Sequence, residues 1–188
     1  APNGIRWLEL PERQKNPAAY DKYRAIQPGY IPQKTAAGVK SAIGLRMDHA
    51  YQANHVLAKD DPEFVYQLAK WMDVNHDKFK KKFNHAHMMS VDNLIAYLDA
   101  GALTPLHEGT IRYLKEKKLW KPAYQGRQDK LVELATKRVA LYKEALETAT
   151  DKGFSTVPGN KQWLARWEEV RKKNGHEKPF GLEVLALD

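Results

Sequence analysis

The chain has no cysteine, which removes disulfides, thiolate catalysis and zinc sites built on thiolates at one stroke. It has no apolar run approaching the roughly 20 residues that span a bilayer. It also lacks a glycine-rich phosphate loop, a G-x-S-x-G elbow and an H-E-x-x-H helix, so the common phosphate-binding, hydrolase and metalloprotease signatures are missing together. Its opening, Ala1-Pro-Asn-Gly4, shows neither a positive n-region nor an apolar h-region, so any secretory signal is expected to have been removed or to lie outside this piece. No internal repeat and no low-complexity segment is visible.

What is present suits a soluble domain. At 188 residues a chain can bury about 70% of the surface it exposes when unfolded, enough for a core without covalent staples. Acidic residues are the minority, 23 against 31 Lys and Arg, for a net charge of +8. That excess suits nucleic acid, an anionic surface or an acidic ligand. The lysines are mostly interleaved with acids, however, and the one dense run, Lys78 with Lys80, Lys81 and Lys82, falls at a helix end where cations favour the dipole. The expectation is therefore no nucleic-acid partner. A nucleic-acid binder would show affinity falling steeply with salt.

Residues 5–10 (IRWLEL) form an apolar-rich run stopped by Pro11, which predicts a short strand. Asn16-Pro17 supplies a cap and a proline at the first helical position, predicting a helix to about Ala25. Pro28-Gly29, Pro32 and Gly38 mark a long loop. From 43 to 57 every second residue is apolar or amphipathic, a strand period sustained well beyond the usual length of about five or six. Such a run predicts a bulged strand, or one crossing between two lobes.

Asp60-Asp-Pro-Glu63 combines cap, N1 proline and first-turn acid, followed by Phe64, Val65, Leu68, Trp71 and Met72 at helical spacing. Ser90 is expected to cap a helix ended by Gly101, and Pro105 to open another carrying Ile111 and Leu114. A longer helix is expected from about Arg127 to Lys152, stopped by Gly153, and a last one carries Trp163, Leu164, Trp167 and Val170 up to Asn174-Gly175. The apolar tail at 182–187 could add a strand or pack in a groove.

Three constellations could carry chemistry. His85-Ala-His87-Met88-Met89 offers two imidazoles and two thioethers to a soft metal, but with no third ligand at a helical offset it reads as a polar connection leading into core methionines. His49 and His55 share a face of the proposed strand about 20 Å apart, too far for one ion. Trp163 and Trp167, four apart, read as the apolar face of a helix before they read as a stacking platform. No metal, no cofactor and no enzymatic activity is expected. The better candidate is the loop at 27–41, where Gln27, Tyr30, Gln33, Lys34, Thr35 and Ser41 present amide, phenol, ammonium and hydroxyl groups beside backbone N–H groups. Such a set suits a small carboxylated solute. An ordinary surface connection is the alternative reading.

Ile26-Gln-Pro-Gly-Tyr-Ile-Pro32, the run at 43–57, Asp60-Asp-Pro-Glu-Phe-Val-Tyr66, Ser90-Val-Asp-Asn-Leu94 and Pro105-Leu-His-Glu-Gly-Thr-Ile-Arg-Tyr-Leu-Lys-Glu116, taken in order, resemble the carboxy-terminal half of TAXI-family solute-binding proteins of TRAP transporters. The resemblance covers about residues 5–120. In its loop Gly29 and Pro32 are kept, while Tyr30, Ile31 and Gln33 stand where the family pattern has Thr, Tyr and Gly. The resemblance implies an α/β fold, part of a type II periplasmic-binding-protein architecture, helix-rich, with long C-terminal helices. Residues 1–120 would then be the C-terminal portion of the solute-binding fold, and 121–188 a helical extension. It implies a periplasmic or otherwise extracytoplasmic receptor for a small organic anion, a dicarboxylate or an amino acid. Its partners would be TRAP membrane permease subunits and a missing first lobe or second chain. The alternative is a helical interaction or dimerisation module without a small ligand, which predicts a homodimer that dissociates on truncation at Trp120.

Overall fold

Asn16 starts the first helix, α1 (Pro17–Ile26), by accepting a hydrogen bond from the Ala19 N–H at 3.1 Å, and Pro17 takes the first-turn position where its missing N–H is no loss. The computed structural model describes residues 4–36, 38–49, 54–83, 85–178 and 180–185. They belong to two compact units, Ala1–Trp120 and Lys121–Asp188.

In the first unit a hairpin follows α1, and it changes three sequence-based expectations. β1 (Ile31–Lys34) lies inside the predicted loop and pairs antiparallel with β2 (Arg46–His49), Gln33 facing Met47 and Lys34 facing Arg46. Proline at position 32 is tolerated because each strand of a two-stranded ribbon has an open edge. The second change concerns the alternating run at 43–57. Residues 40–44 form a turn in which Gly44 adopts φ +86°, a left-handed conformation that glycine enters without a Cβ penalty, so extended backbone begins only at Arg46. Residues 50–53 of that run lie outside the described residues, and 54–57 carry no regular structure. Third, residues 5–10 are irregular: Leu10 N–H donates to the Arg46 carbonyl at 2.8 Å and Glu9 accepts from the Arg46 N–H at 3.0 Å, a tether to the hairpin without a ladder.

Asp61 caps α2 (Pro62–Val74) through the Glu63 N–H at 2.9 Å, as the sequence signal predicts. A single turn, α3 (His76–Phe79), and a 3-10 turn (Ala86–Met88) lead to α4 (Val91–Asp99), capped by Ser90 on the Asn93 N–H at 3.2 Å. α5 (Glu108–Glu116) begins later than Pro105 because His107 is the cap, its Nδ1 accepting from the Gly109 N–H at 3.1 Å.

α5 packs on α2 through a contact that only glycine allows. A Cβ on Gly109 would stand 2.5 Å from the Pro62 carbonyl oxygen and 2.7 Å from the Tyr66 nitrogen. Around that point Arg112 pairs with Glu63 at 2.5 Å and lies 3.9 Å over the Tyr66 ring, while Tyr66 donates its hydroxyl hydrogen to Glu116. The Tyr66 and Tyr113 rings meet edge to face at 5.9 Å.

The second unit is built on α6 (Pro122–Asp151), about 45 Å long at 1.5 Å per residue and starting earlier than the Arg127 expected from the apolar stripe. It ends before Gly153, whose φ is +66°. α7 (Lys161–Lys173), capped by Asn160 on the Trp163 N–H at 3.0 Å, packs against it. Ala145, Ala149, Trp163 and Val170 form their buried core, with Leu141, Leu146, Phe154 and Trp167 around it. Both tryptophans meet Tyr142 edge-on, at 5.4 and 5.6 Å, which is the helix-face reading of Trp163 and Trp167 in three dimensions. The apolar tail contributes a short helix, α8 (Leu182–Leu185), where a strand was one expectation; Ala186 and Leu187 lie outside the described residues. The described residues are thus helix-rich with one two-stranded sheet, and no helix among them is long and apolar enough to cross a membrane.

Candidate functional site

Two places in the first unit could engage a small molecule. The first is the segment around β1. Gln27 closes α1, its N–H donating to the Tyr23 carbonyl at 2.9 Å, and its own carbonyl accepts from the Tyr30 N–H at 3.2 Å across the Pro28-Gly29 turn. Gln27, Tyr30 and Lys34 are exposed, and Gln33 and Thr35 half-buried. Thr35 continues the hairpin, donating its N–H to the Leu45 carbonyl at 2.9 Å, and its buried hydroxyl has no hydrogen-bond partner. Ser41 accepts from the Trp7 indole N–H at 3.0 Å, leaving the hydroxyl hydrogen to donate elsewhere. On the strand period Gln33 shares a face with Ile31, and Lys34 shares the other with Pro32, so the hairpin does not present the six candidate residues on one face.

Charge is managed locally there. Arg46, opposite Lys34, gives its guanidinium to Glu12 at 2.7 Å and to the Pro32 carbonyl at 3.0 Å. Hydrogen bonds from Lys15 and then Arg46 lower the Glu12 carboxyl to about 2. Tyr23 donates to Asp48 on β2, fixing α1 to the hairpin; burial first and this bond second push its phenol above its ordinary range. Lys34 is in no ion pair among the described residues, so its ammonium is one cation this segment offers, beside that of the exposed Lys40.

The second place is a cavity of about 200 Å³ among α2, α4 and α5. α2 contributes Leu68, Ala69 and Met72, the 3-10 turn and its exit contribute Met88 and Met89, and α4 contributes Leu94 and Tyr97. Tyr113 and Leu114 enter from α5, and Asn54 and Val56 from the segment before α2. Each helix turns part of an apolar face to the cavity, while Phe64 and Trp71, expected on the α2 stripe, stay exposed.

Several polar groups in the wall are engaged with one another. Tyr113 donates to Asp73 at 2.5 Å, Lys117 pairs with the same carboxylate at 3.0 Å, and Tyr97 donates to Thr104 at 3.2 Å. Burial raises the Asp73 carboxyl, but the Tyr113 and Lys117 hydrogen bonds outweigh it and leave the pKa below its usual value. Ser90 is occupied as a cap, and Asn93 donates to the Met88 carbonyl at 3.0 Å. Asn54 differs: its amide nitrogen lies against the Met72 sulfur at 3.2 Å, a weak acceptor.

None of the six residues singled out in the sequence lines this cavity. The sequence signal for it was the methionines: three of the four in the chain, Met72, Met88 and Met89, converge there. In the His85–Met89 constellation, His87 is exposed and His85 sits at φ +67°, and no group of three metal-ligating side chains occurs among the described residues. The two thioethers serve the cavity wall.

Neither the curated proteins nor the solved structures include a match to this chain. The NMT1-like family does match, over residues 1–117, which takes in all of α1 to α5 and both strands and stops short of α6. That is a family of periplasmic solute-binding proteins related to those of TRAP and ABC transporters, whose members bind rather than catalyse. With more than half of its length matched, the chain belongs to the NMT1-like family.

Proposed function

We propose that the chain is part of an extracytoplasmic solute receptor that binds a small organic anion, a dicarboxylate or an amino acid, and delivers it to a TRAP-type membrane transporter. The observation that carries this reading is the coincidence of two boundaries: the family match ends at residue 117 and the first compact unit at Trp120, so the matched sequence is one folded body and not scattered elements. Within that body the segment around β1 is the anion-facing part. Lys34 supplies the charge from one face of β1, and Gln27, Tyr30, Gln33, Thr35 and Ser41 are the polar candidates around it, not all of which can meet one ligand on that face. The buried Thr35 hydroxyl without a partner supports this assignment, since a buried polar group is normally satisfied. The likeness to the TAXI members in the order and spacing of residues 26–32, 43–57, 60–66, 90–94 and 105–116 supports the transporter class.

The test is calorimetry of the whole chain against a panel of dicarboxylates and amino acids. A charge-assisted hydrogen bond contributes about 1.5 to 3 kcal/mol, so Lys34→Ala should weaken the best ligand by about tenfold or more. If no carboxylate binds and Lys34→Ala changes nothing, the anion-receptor reading is wrong.

A further inference from the structure

The α2–α4–α5 cavity has a chemistry opposite to that of the β1 segment. It is open to solvent on one side and offers about 200 Å³, above the roughly 150 Å³ that a benzene-sized guest needs in a closed apolar cavity. Its one lining carboxylate, Asp73, is neutralised by Lys117 and bonded by Tyr113, so the wall presents no uncompensated charge to a guest. An organic anion entering it would lose part of its hydration and find no unpaired cation in the wall to replace it. Met72, Met88 and Met89 supply flexible, polarizable thioethers, which adapt to a guest's outline and favour the edges of aromatic rings. At the mouth the exposed Asn54 amide, which lies against the Met72 sulfur, can donate to a guest, and Thr110 adds a hydroxyl to the wall.

We infer that this cavity is a binding site for an uncharged, largely apolar molecule of about the size of a substituted benzene or an indole, with a single hydrogen-bond acceptor directed to Asn54. The site is separate from the β1 segment and does not depend on the identity of the transported solute. A ligand here bridges α2, α4 and α5, so occupancy stabilises the first unit by linkage.

The methionines make the site directly observable. With methyl-¹³C methionine the chain gives four signals, three from the cavity wall and one from Met47 on β2, which does not line it. Titration with toluene and with p-cresol is expected to move the Met72, Met88 and Met89 methyls, to give NOEs from ring protons to those methyls, and to leave Met47 in place. Benzoate, of similar size but charged, is expected to bind at least about tenfold more weakly than toluene. Asn54→Leu should weaken p-cresol severalfold and leave toluene unchanged. Ala69→Phe, which fills the space from α2, should abolish the shifts while the Met47 signal keeps its folded position. If that variant does not fold, the NOEs in the unmodified chain decide alone.

Four results would each overturn the inference: no shift up to the solubility of toluene, equal movement of Met47, benzoate binding as well as toluene, or methyl shifts that follow protein concentration with nothing added. The last would assign the cavity to a second copy of the chain. Each is distinct from failure of the carboxylate panel, because that panel is read at Lys34 and this titration at the methionines.

Discussion

The α2–α5 pair and the α6–α7 pair solve the same problem, fixing one amphipathic helix on another, by opposite means. α6 and α7 interdigitate large apolar side chains, with Trp163 buried between Tyr142 and a floor of Ala145 and Ala149. α2 and α5 approach over a glycine, and polar and aromatic groups, Arg112 with Glu63, Tyr66 with Glu116 and Tyr113 with Asp73, hold the surrounding contacts. Close approach at Gly109 brings the helix backbones together at one end and leaves a cavity of about 200 Å³ where α4 completes the layer. A filled interface gives rigidity. An interface pinned by a glycine and a polar lattice can leave a shaped, open-mouthed pocket, and in this chain it lies in the unit that carries the family match.

The largest expected effect tests the filled side. Trp163 is 7% exposed, and truncating a buried aromatic costs about 3 to 5 kcal/mol through lost transfer energy and the hole left behind. Trp163→Ala should therefore lower the thermal midpoint of the second unit by many degrees, followed by the far-ultraviolet helix signal. All four methionines lie in the first unit, so their methyl signals report that unit separately. They should keep their folded positions when the helix signal of α6 and α7 has dropped. Simultaneous collapse of both signals would break the comparison, since it would make the two regions one cooperative body.

Gly109→Ala tests the other side. The new methyl would meet backbone oxygen and nitrogen, which cannot swing aside as a flexible side chain can, so the cost belongs at the upper end of the roughly 1 to 3 kcal/mol of overpacking. Denaturant unfolding should show the loss. The Met72 methyl should shift as the cavity wall moves, with the Trp163 environment unchanged. A neutral Gly109→Ala would mean that α2 and α5 can separate freely, and the cavity would lose its defined shape.

The caps explain how much of this was legible beforehand. Asn16, Asp61 and Ser90 act through N–H groups two or three residues away, so a linear reading finds them, and α1, α2 and α4 begin where those residues predict. α5 is displaced from Pro105 because His107, an uncommon cap, takes the role. The long alternating run misled because alternation in sequence does not fix pairing: the turn at 40–44, with Gly44 at positive φ, folds the early part of the run toward β1 instead of extending it. The cavity was beyond reach for a different reason. Met72, Met88, Leu94 and Tyr113 come from four separate segments, and a void is a mismatch between faces that each look complete alone. Gly109 reads in sequence as a poor helix residue, and only the 2.5 Å approach to Pro62 shows why it must be one.

The smallest expected effect lies in the tether of the β1–β2 hairpin and depends on pH. The Glu12 carboxyl is lowered from 4.5 to about 2, with the Lys15 hydrogen bond the larger cause and the Arg46 bond the next. A folded-state pKa below the unfolded one means that the native state favours the ionised form, so the stabilisation is fully present above about pH 4.5 and is lost as the pH falls through 2. Glu12 is solvent-screened, so the effect on global stability is slight, and the measurement is an NMR titration of its side-chain carboxyl. The midpoint should rise toward 4.5 in Lys15→Met, rise less in Arg46→Met, and rise in the unmodified chain when salt goes from about 0.1 M to 1 M and the Debye length shrinks from about 10 to 3 Å. The two variants also separate two roles of the same carboxylate. Lys15 is an exposed neighbour on the same turn, whereas Arg46 is half-buried on β2 and carries the backbone bonds to Leu10 and Glu9. If Arg46→Met moves the midpoint more than Lys15→Met, the hairpin and not the local turn sets the charge of Glu12. Acid would then loosen the segment around Lys34 at the same pH at which Glu12 titrates.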